Sequence, residues 1–188
     1  EGKKAHLGDV DLREVDLRWV NLRRANLEWA ELESANLRRA NLVGANLVGA
    51  NLAGADLRWA NLGRAGLGGA DLRGTDLREA NLVGAELVRA DLRRANMIGA
   101  NLVRASLIVA DLGEADLEGA NLRGTHLDGA ILTGVKLCRT IRHSWKIYDI
   151  KCDYIYFDLK REKRIPEDRN FKIGEFEKYM NNEKMIRK

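Results

Sequence analysis

The chain has 188 residues, 32 Lys and Arg against 28 Asp and Glu, and a formal net charge of +4. A charge this small suits solubility and implies no nucleic acid by itself, and no stretch reaches the length of an apolar membrane span or reads as a signal segment. Two Cys, Cys138 and Cys152, are too few for a disulfide framework and fit a reducing compartment, the cytoplasm.

The chain opens on Glu1 rather than Met, and only Glu1 to Lys4 precede a repeat. The expectation is a piece of a larger protein, with upstream residues or a partner covering the first open edge. From Leu7 to Leu137 a Leu recurs every five residues, 27 units without an insertion, with Met97 the single substitute. Two residues before it stands a small side chain: Ala in most units, Val at Val10, Val15, Val20 and Val135, Thr at Thr75 and Thr125. Asn or Asp directly precedes most of the Leu residues, as in Asn41-Leu42 and Asp71-Leu72. A period of five fits neither the 3.6 of a helix nor the 2.0 of a flat strand. A coil that turns a corner at each unit does place every Leu and its preceding small residue inside.

The A(D/N)Lxx unit resembles the pentapeptide-repeat family. The resemblance implies an all-β solenoid over residues 1–140, a right-handed quadrilateral β-helix with four units per coil and about seven coils, roughly 32 Å long at the β spacing. The residues supply their own support for a twenty-residue coil. Asn fills the position before Leu at Asn21, Asn41, Asn61, Asn81, Asn101 and Asn121, while the other three columns are mixed. Amides stacked about 4.8 Å apart can hydrogen-bond from coil to coil. Gly44, Gly49, Gly54 and Gly69 recur two places after Leu and serve the corners. Arg, Glu and Trp occupy the same place elsewhere, which implies that some corners do without a positive φ.

Sorted at twenty residues, the outward positions give four unlike walls. One carries an arginine ladder, Arg18, Arg38, Arg58 and Arg78, beside Trp19, Arg39 and Trp59. Arg next to Trp on an exposed wall suits a protein partner, anionic groups or stacked bases. The competing expectation is that Asp16, Asp56 and Asp76 neutralise the ladder and that the indoles cover aliphatic stems. A carboxylate wall, Asp11, Glu31, Asp71, Asp91 and Asp111, faces Arg13, Arg73 and Arg93 and reads as a solvated surface, because acid–base catalysis needs a concave site that no insertion builds. A third wall exposes Val48, Val88, Ile108 and Val109 around Gly68 and Gly69. The fourth is the asparagine column. Cys138, His143 and Cys152 match no metal-ligand spacing, and His6 and His126 read as surface residues. No catalytic, cofactor-binding or metal-binding residue is expected.

The Leu register ends at Arg142, and residues 141–188 form a second unit, expected to cap or dock. Of eleven aromatic residues, eight lie here: Trp145, Tyr148, Tyr154, Tyr156, Phe157, Phe171, Phe176 and Tyr179. Ile147 to Leu159 predicts one or two strands, Lys160 to Lys163 a charged turn, and Glu175 to about Lys184 a short helix with Phe176, Tyr179 and Met180 on one face. Such a hairpin and helix serve as a small cap on the last coil or as an oligomer interface, since family members often pair through their C-terminal ends. The function expected is that of a non-catalytic structural or protein-interaction scaffold with an unidentified protein partner and a possible homodimer. Mimicry of DNA toward gyrase is the alternative the resemblance raises, and weak nucleic-acid binding by the Arg/Trp wall is another. Residues 5–140 carry 17 basic against 18 acidic side chains. That near-neutral count, and Leu where such mimics have much Phe, argue against gyrase.

Overall fold

The computed structural model describes residues 5–158, 160 and 162–182. Its organising feature is a ladder of parallel bridges between residues twenty apart, from His6 to Asn26 through Asn61 to Asn81 and on to Ile131 and Lys151. Each twenty-residue layer therefore consists of four units and stacks on the next in register. Among the described residues, the segment Glu1 to Lys4 and the expected ends at Leu159 and Lys184 are not included.

The unit Asn41 to Ala45 shows why the consensus reads as it does, because each of its five N–H groups finds an acceptor. Asn41 donates to the Val20 carbonyl of the layer below at 2.9 Å, Leu42 to Asn61 above at 2.8 Å and Gly44 to Gly63 above at 2.9 Å. Ala45 closes the corner by donating to the Leu42 carbonyl at 3.0 Å. The fifth donor, Val43 N–H, points away from both layers and is accepted by the side-chain oxygen of Asn41 at 3.3 Å. Asn or Asp before Leu is thus the residue that satisfies an otherwise unpaired backbone donor. In the asparagine column the expected amide bond between layers occurs from Asn81 to Asn61 at 3.0 Å, and Asn46 to Asn26 makes another in the neighbouring column at 3.1 Å, but the bond within the unit is the commoner one.

Every Leu from Leu27 to Leu137 and Met97 is buried, with the Ala residues from Ala25 onward packed between them. Leu7, Leu12 and Leu17 are only half-buried. Thr75 and Thr125 occupy Ala positions without penalty because their hydroxyls donate to the Leu52 and Leu102 carbonyls at 2.9 and 2.8 Å.

Each corner has a positive φ at its third residue only, the type II signature. This holds for Gly44 at 65° and equally for Trp19 at 62°, Arg39 at 61°, Glu79 at 58° and Arg104 at 57°. The expectation that non-glycine corners avoid this region is therefore wrong. Interlayer hydrogen bonds on both sides of the corner fix its shape, and the side chain accepts a cost of about 1–2 kcal/mol.

The backbone winding also runs past the last Leu. Asn121, His126 and Ile131 bridge Ile141, Lys146 and Lys151, and β1 (Val135–Lys136) pairs in parallel with β2 (Ile155–Tyr156). Inward positions in this layer hold Arg142, Ile147, Cys152 and Phe157 in place of Leu, with Trp145, Ile150 and Ile155 where Ala stood. Larger side chains fit because no further layer stacks above them. The chain then reverses: β2 pairs antiparallel with β3 (Arg164–Ile165), so that the order is β1-β2-β3. The helix α1 (Glu175–Asn181) lays Phe176 and Met180 on the end of the stack.

Candidate functional site

Five of the seven residues expected on the Arg/Trp wall come together in one cluster. Trp19, Arg39 and Trp59 sit in one corner column, on successive layers. The Arg39 guanidinium lies 4.6 Å from the Trp19 ring centroid and 5.4 Å from that of Trp59. The Arg38 guanidinium lies 4.5 Å from the Trp59 centroid, and Arg58 approaches the same ring at 5.9 Å. Trp19 is 67% exposed and Trp59 42%, so the indoles serve the arginines and remain open to solvent. Each such contact is worth about 0.5–1 kcal/mol at an exposed site.

Charge divides the ladder unevenly. Arg18, Arg58 and Arg78 each bind the Asp two residues earlier at 2.6 Å, and Arg58 also reaches Asp76 on the next layer at 3.5 Å. Their hydrogen bonds hold the Asp16 and Asp56 carboxyls below the ordinary range. At Arg38 the residue two positions earlier is Asn36, which accepts the Arg38 backbone N–H, so the guanidinium makes no ion pair among the described residues and acts only at longer range on Asp56 of the next layer. Arg38 and Arg39 are therefore the cations this wall offers. Arg18 and Arg78 meet no indole among the described residues and belong to the neutral part. Trp29, in another column, lies over Gly49 and away from the cluster.

The carboxylate wall is neutralised in the same way. Arg13, Arg73 and Arg93 bind Asp11, Asp71 and Asp91 at 2.5–2.7 Å, which brings the Asp11 carboxyl down to about 2. A shallow depression of about 650 Å³ lies farther along this face, between Arg73, Arg93, Arg94, Asp111 and Tyr154. Its cations are committed to Asp71, Asp91, Asp111 and Glu114. No group of His, Cys, Asp and Glu gathers in a metal-binding arrangement among the described residues. On the apolar wall, Val88 and Val109 are exposed while Val48 and Ile108 are half-buried.

At the C-terminal end Phe157, Phe171, Phe176 and Tyr179 form one ring cluster with centroids 5.8–6.5 Å apart. Tyr154 meets Tyr156 edge-on at 5.7 Å and lies under Arg164 at 4.2 Å. Trp145 and Phe157 flank Arg142, whose guanidinium donates to the Leu137 carbonyl and the Thr140 hydroxyl. Burial lowers the Arg142 pKa. Tyr148 is 78% exposed and takes no part in this cluster. Just below, Lys136 is buried between Asp116 at 3.2 Å and Glu118 at 3.1 Å.

The asparagine wall holds residues that the sequence reading passed over. Its corner column runs Arg24, Gly44, Arg64, Gly84, Arg104, Gly124, an alternation that becomes visible once corner residues are also sorted at twenty.

Stacked repeats with a filled interior and four differentiated outer columns define a repeat protein whose chemistry lies on its surface. Pentapeptide repeats match residues 3–39, 30–69, 70–107 and 100–141, and the chain belongs to that family. Among solved structures it is similar to HetL, a pentapeptide repeat protein involved in heterocyst differentiation regulation in the cyanobacterium Nostoc, with 31% identity over 81% of this chain and 78% of that one and a TM-score of 0.55. It is also similar to QnrB1, a plasmid-mediated fluoroquinolone resistance protein, at 16% identity over 80% of this chain and 84% of that one, TM-score 0.53. At that identity the likeness concerns the fold alone. Comparison with curated proteins gave no match.

Proposed function

We propose that the chain is a non-catalytic protein-interaction scaffold whose docking surface is the Arg38, Arg39, Trp19 and Trp59 cluster. The observation that carries this reading is the pair of guanidiniums that make no ion pair among the described residues, held against exposed indoles. Trp and Arg are the residue types that dominate binding energy at protein interfaces, and a stack of hydrogen-bonded layers presents them with little entropy left to lose. The winding itself is read as a right-handed, four-sided β-helix of about seven coils, with the segment after residue 140 closing it or serving a homodimer. A cytoplasmic setting fits the two free cysteines. No helix among the described residues is long and apolar enough to cross a membrane.

The test uses proximity crosslinking in cells with the wild-type chain and with Arg38→Ala, Arg39→Ala and Trp59→Ala combined. A partner retained by the wild type and lost by the triple variant, with the melting temperature unchanged, is the expected result. An identical partner profile for both proteins overturns the assignment of this wall. Gyrase is addressed separately: supercoiling is expected to proceed unaffected by micromolar protein, since near-neutral walls with paired acids give no duplex-like negative field.

A further inference from the structure

Arg24, Arg64 and Arg104 occupy one corner column at intervals of two layers, each followed on the next layer by a glycine. The Cγ of each arginine lies 3.5–3.6 Å from where that glycine would carry a Cβ, so the aliphatic stems of Arg24, Arg64 and Arg104 lie along the wall beside Gly44, Gly84 and Gly124. All three arginines are exposed, as are Arg23 and Arg123 at the two ends of the same wall. None of the five makes an ion pair among the described residues, in contrast to the arginines of the carboxylate wall. The wall between them consists of Asn21, Asn41, Asn61, Asn81, Asn101 and Asn121, each turned onto its own backbone, and a row of half-buried valines, Val43, Val83 and Val103. Among the described residues of these units no carboxylate stands on the wall itself, and Glu79 on one side and Glu86 on the other mark its edges.

We propose that this wall binds an extended acidic segment of a partner protein that carries a carboxylate at every third residue. The inference rests on the scaffold reading but uses a different wall from the Arg/Trp cluster. Three features select the occupant. Guanidinium forks bind carboxylates in bidentate fashion. Successive comb arginines are two layer spacings apart, about 9.6 Å, and three residues of a polyproline II segment advance about 9.3 Å while returning to the same side. A β-strand brings its same-side residues back at about 6.8 Å and loses the register. The valine row gives the intervening apolar side chains of a peptide a surface to cover. A nucleic acid has no apolar side chains to lay on it, and among the described residues from Asn21 to Thr125 this wall carries no aromatic ring on which bases stack.

The experiment is fluorescence anisotropy with the full chain and a labelled peptide of five Glu-Pro-Val repeats. The comparison probes are a peptide of identical composition with its glutamates clustered, an oligothymidylate and a short DNA duplex. The regular peptide is expected to bind more tightly than all three. Arg24→Gln, Arg64→Gln and Arg104→Gln combined are expected to weaken it by about tenfold or more, while the Arg38, Arg39 and Trp59 variant leaves it unchanged. Arg64→Gln alone, expected to cost about threefold, serves if the triple variant melts early. Equal binding of the clustered peptide, tighter binding of either nucleic acid, or wild-type affinity in the comb variants overturns the proposal. An unchanged cellular partner profile for the Arg38, Arg39 and Trp59 variant, with peptide binding by the comb arginines intact, would instead count against the Arg/Trp wall alone.

Discussion

Arg39 and Trp59 illustrate what one residue must tolerate in this fold: each holds a φ near 60° that its side chain disfavours, because the backbone bonds on either side leave no other corner. Glycine at the same place is free of that cost, and two glycines separate conformational strain from crowding. Around Gly74 a Cβ would meet nothing within 4 Å, whereas at Gly49 it would collide with the Trp29 indole. Gly74→Ala should therefore cost about 1 kcal/mol from left-handed strain alone. Gly49→Ala should cost roughly 1–3 kcal/mol more, as the indole is driven off its seat. Chemical denaturation of both variants checks this, and equal losses would mean that Trp29 moves freely. The Leu and Ala side chains of the core were legible from spacing alone. The corner geometry was not, since nothing in an Arg or a Trp announces a positive φ.

Elements here are units and the pairs between them, and their electrostatics follow from a two-residue spacing. An Asp before Leu and an Arg after it share one side of the unit, so Asp11, Asp16, Asp56 and Asp71 sit below the usual carboxylate value chiefly through hydrogen bonds from their arginines. At Asp91 burial opposes the shift and the Arg93 bonds overcome it. In the C-terminal segment, Arg169 brings Glu175 from 4.5 down to about 2. A carboxyl whose folded value is depressed stabilises the fold fully above its unfolded value and loses that contribution as pH falls through the folded one. The melting temperature should thus be flat above about pH 5 and fall between about pH 4.5 and 2, less steeply in high salt because most of these pairs are exposed. A melting temperature independent of pH over that window would show that the pairs add nothing. The Asp–Arg pairing was readable from sequence, as was the hairpin-then-helix order of the tail. The final layer through Tyr156 was not, because Arg142, Ile147, Cys152 and Phe157 break the Leu spelling while backbone bonds to the layer below preserve its geometry.

For the whole molecule, stability resides in neighbouring layers, so the ends matter more than any interior site. Removing everything after Asp158 deletes β3 and α1, uncovers Ile155 and Phe157, and leaves the Ile150 N–H without its bond to Glu177. The truncated chain is expected to aggregate or melt at least several degrees lower, as seen by gel filtration and circular dichroism. A soluble monomer with unchanged melting would identify the tail as an interface and not a cap. The sequence alone determined the twenty-residue stacking and the buried Leu column, because a period of five repeated without interruption permits few other ways to hide that much apolar surface. Only the tertiary structure decided which arginines lie against an indole and which reach a carboxylate of the next layer, since those contacts depend on the residue one layer away. It also decided where the winding stops, because hydrogen bonds from the layer below can carry a coil past the side chains that usually build it.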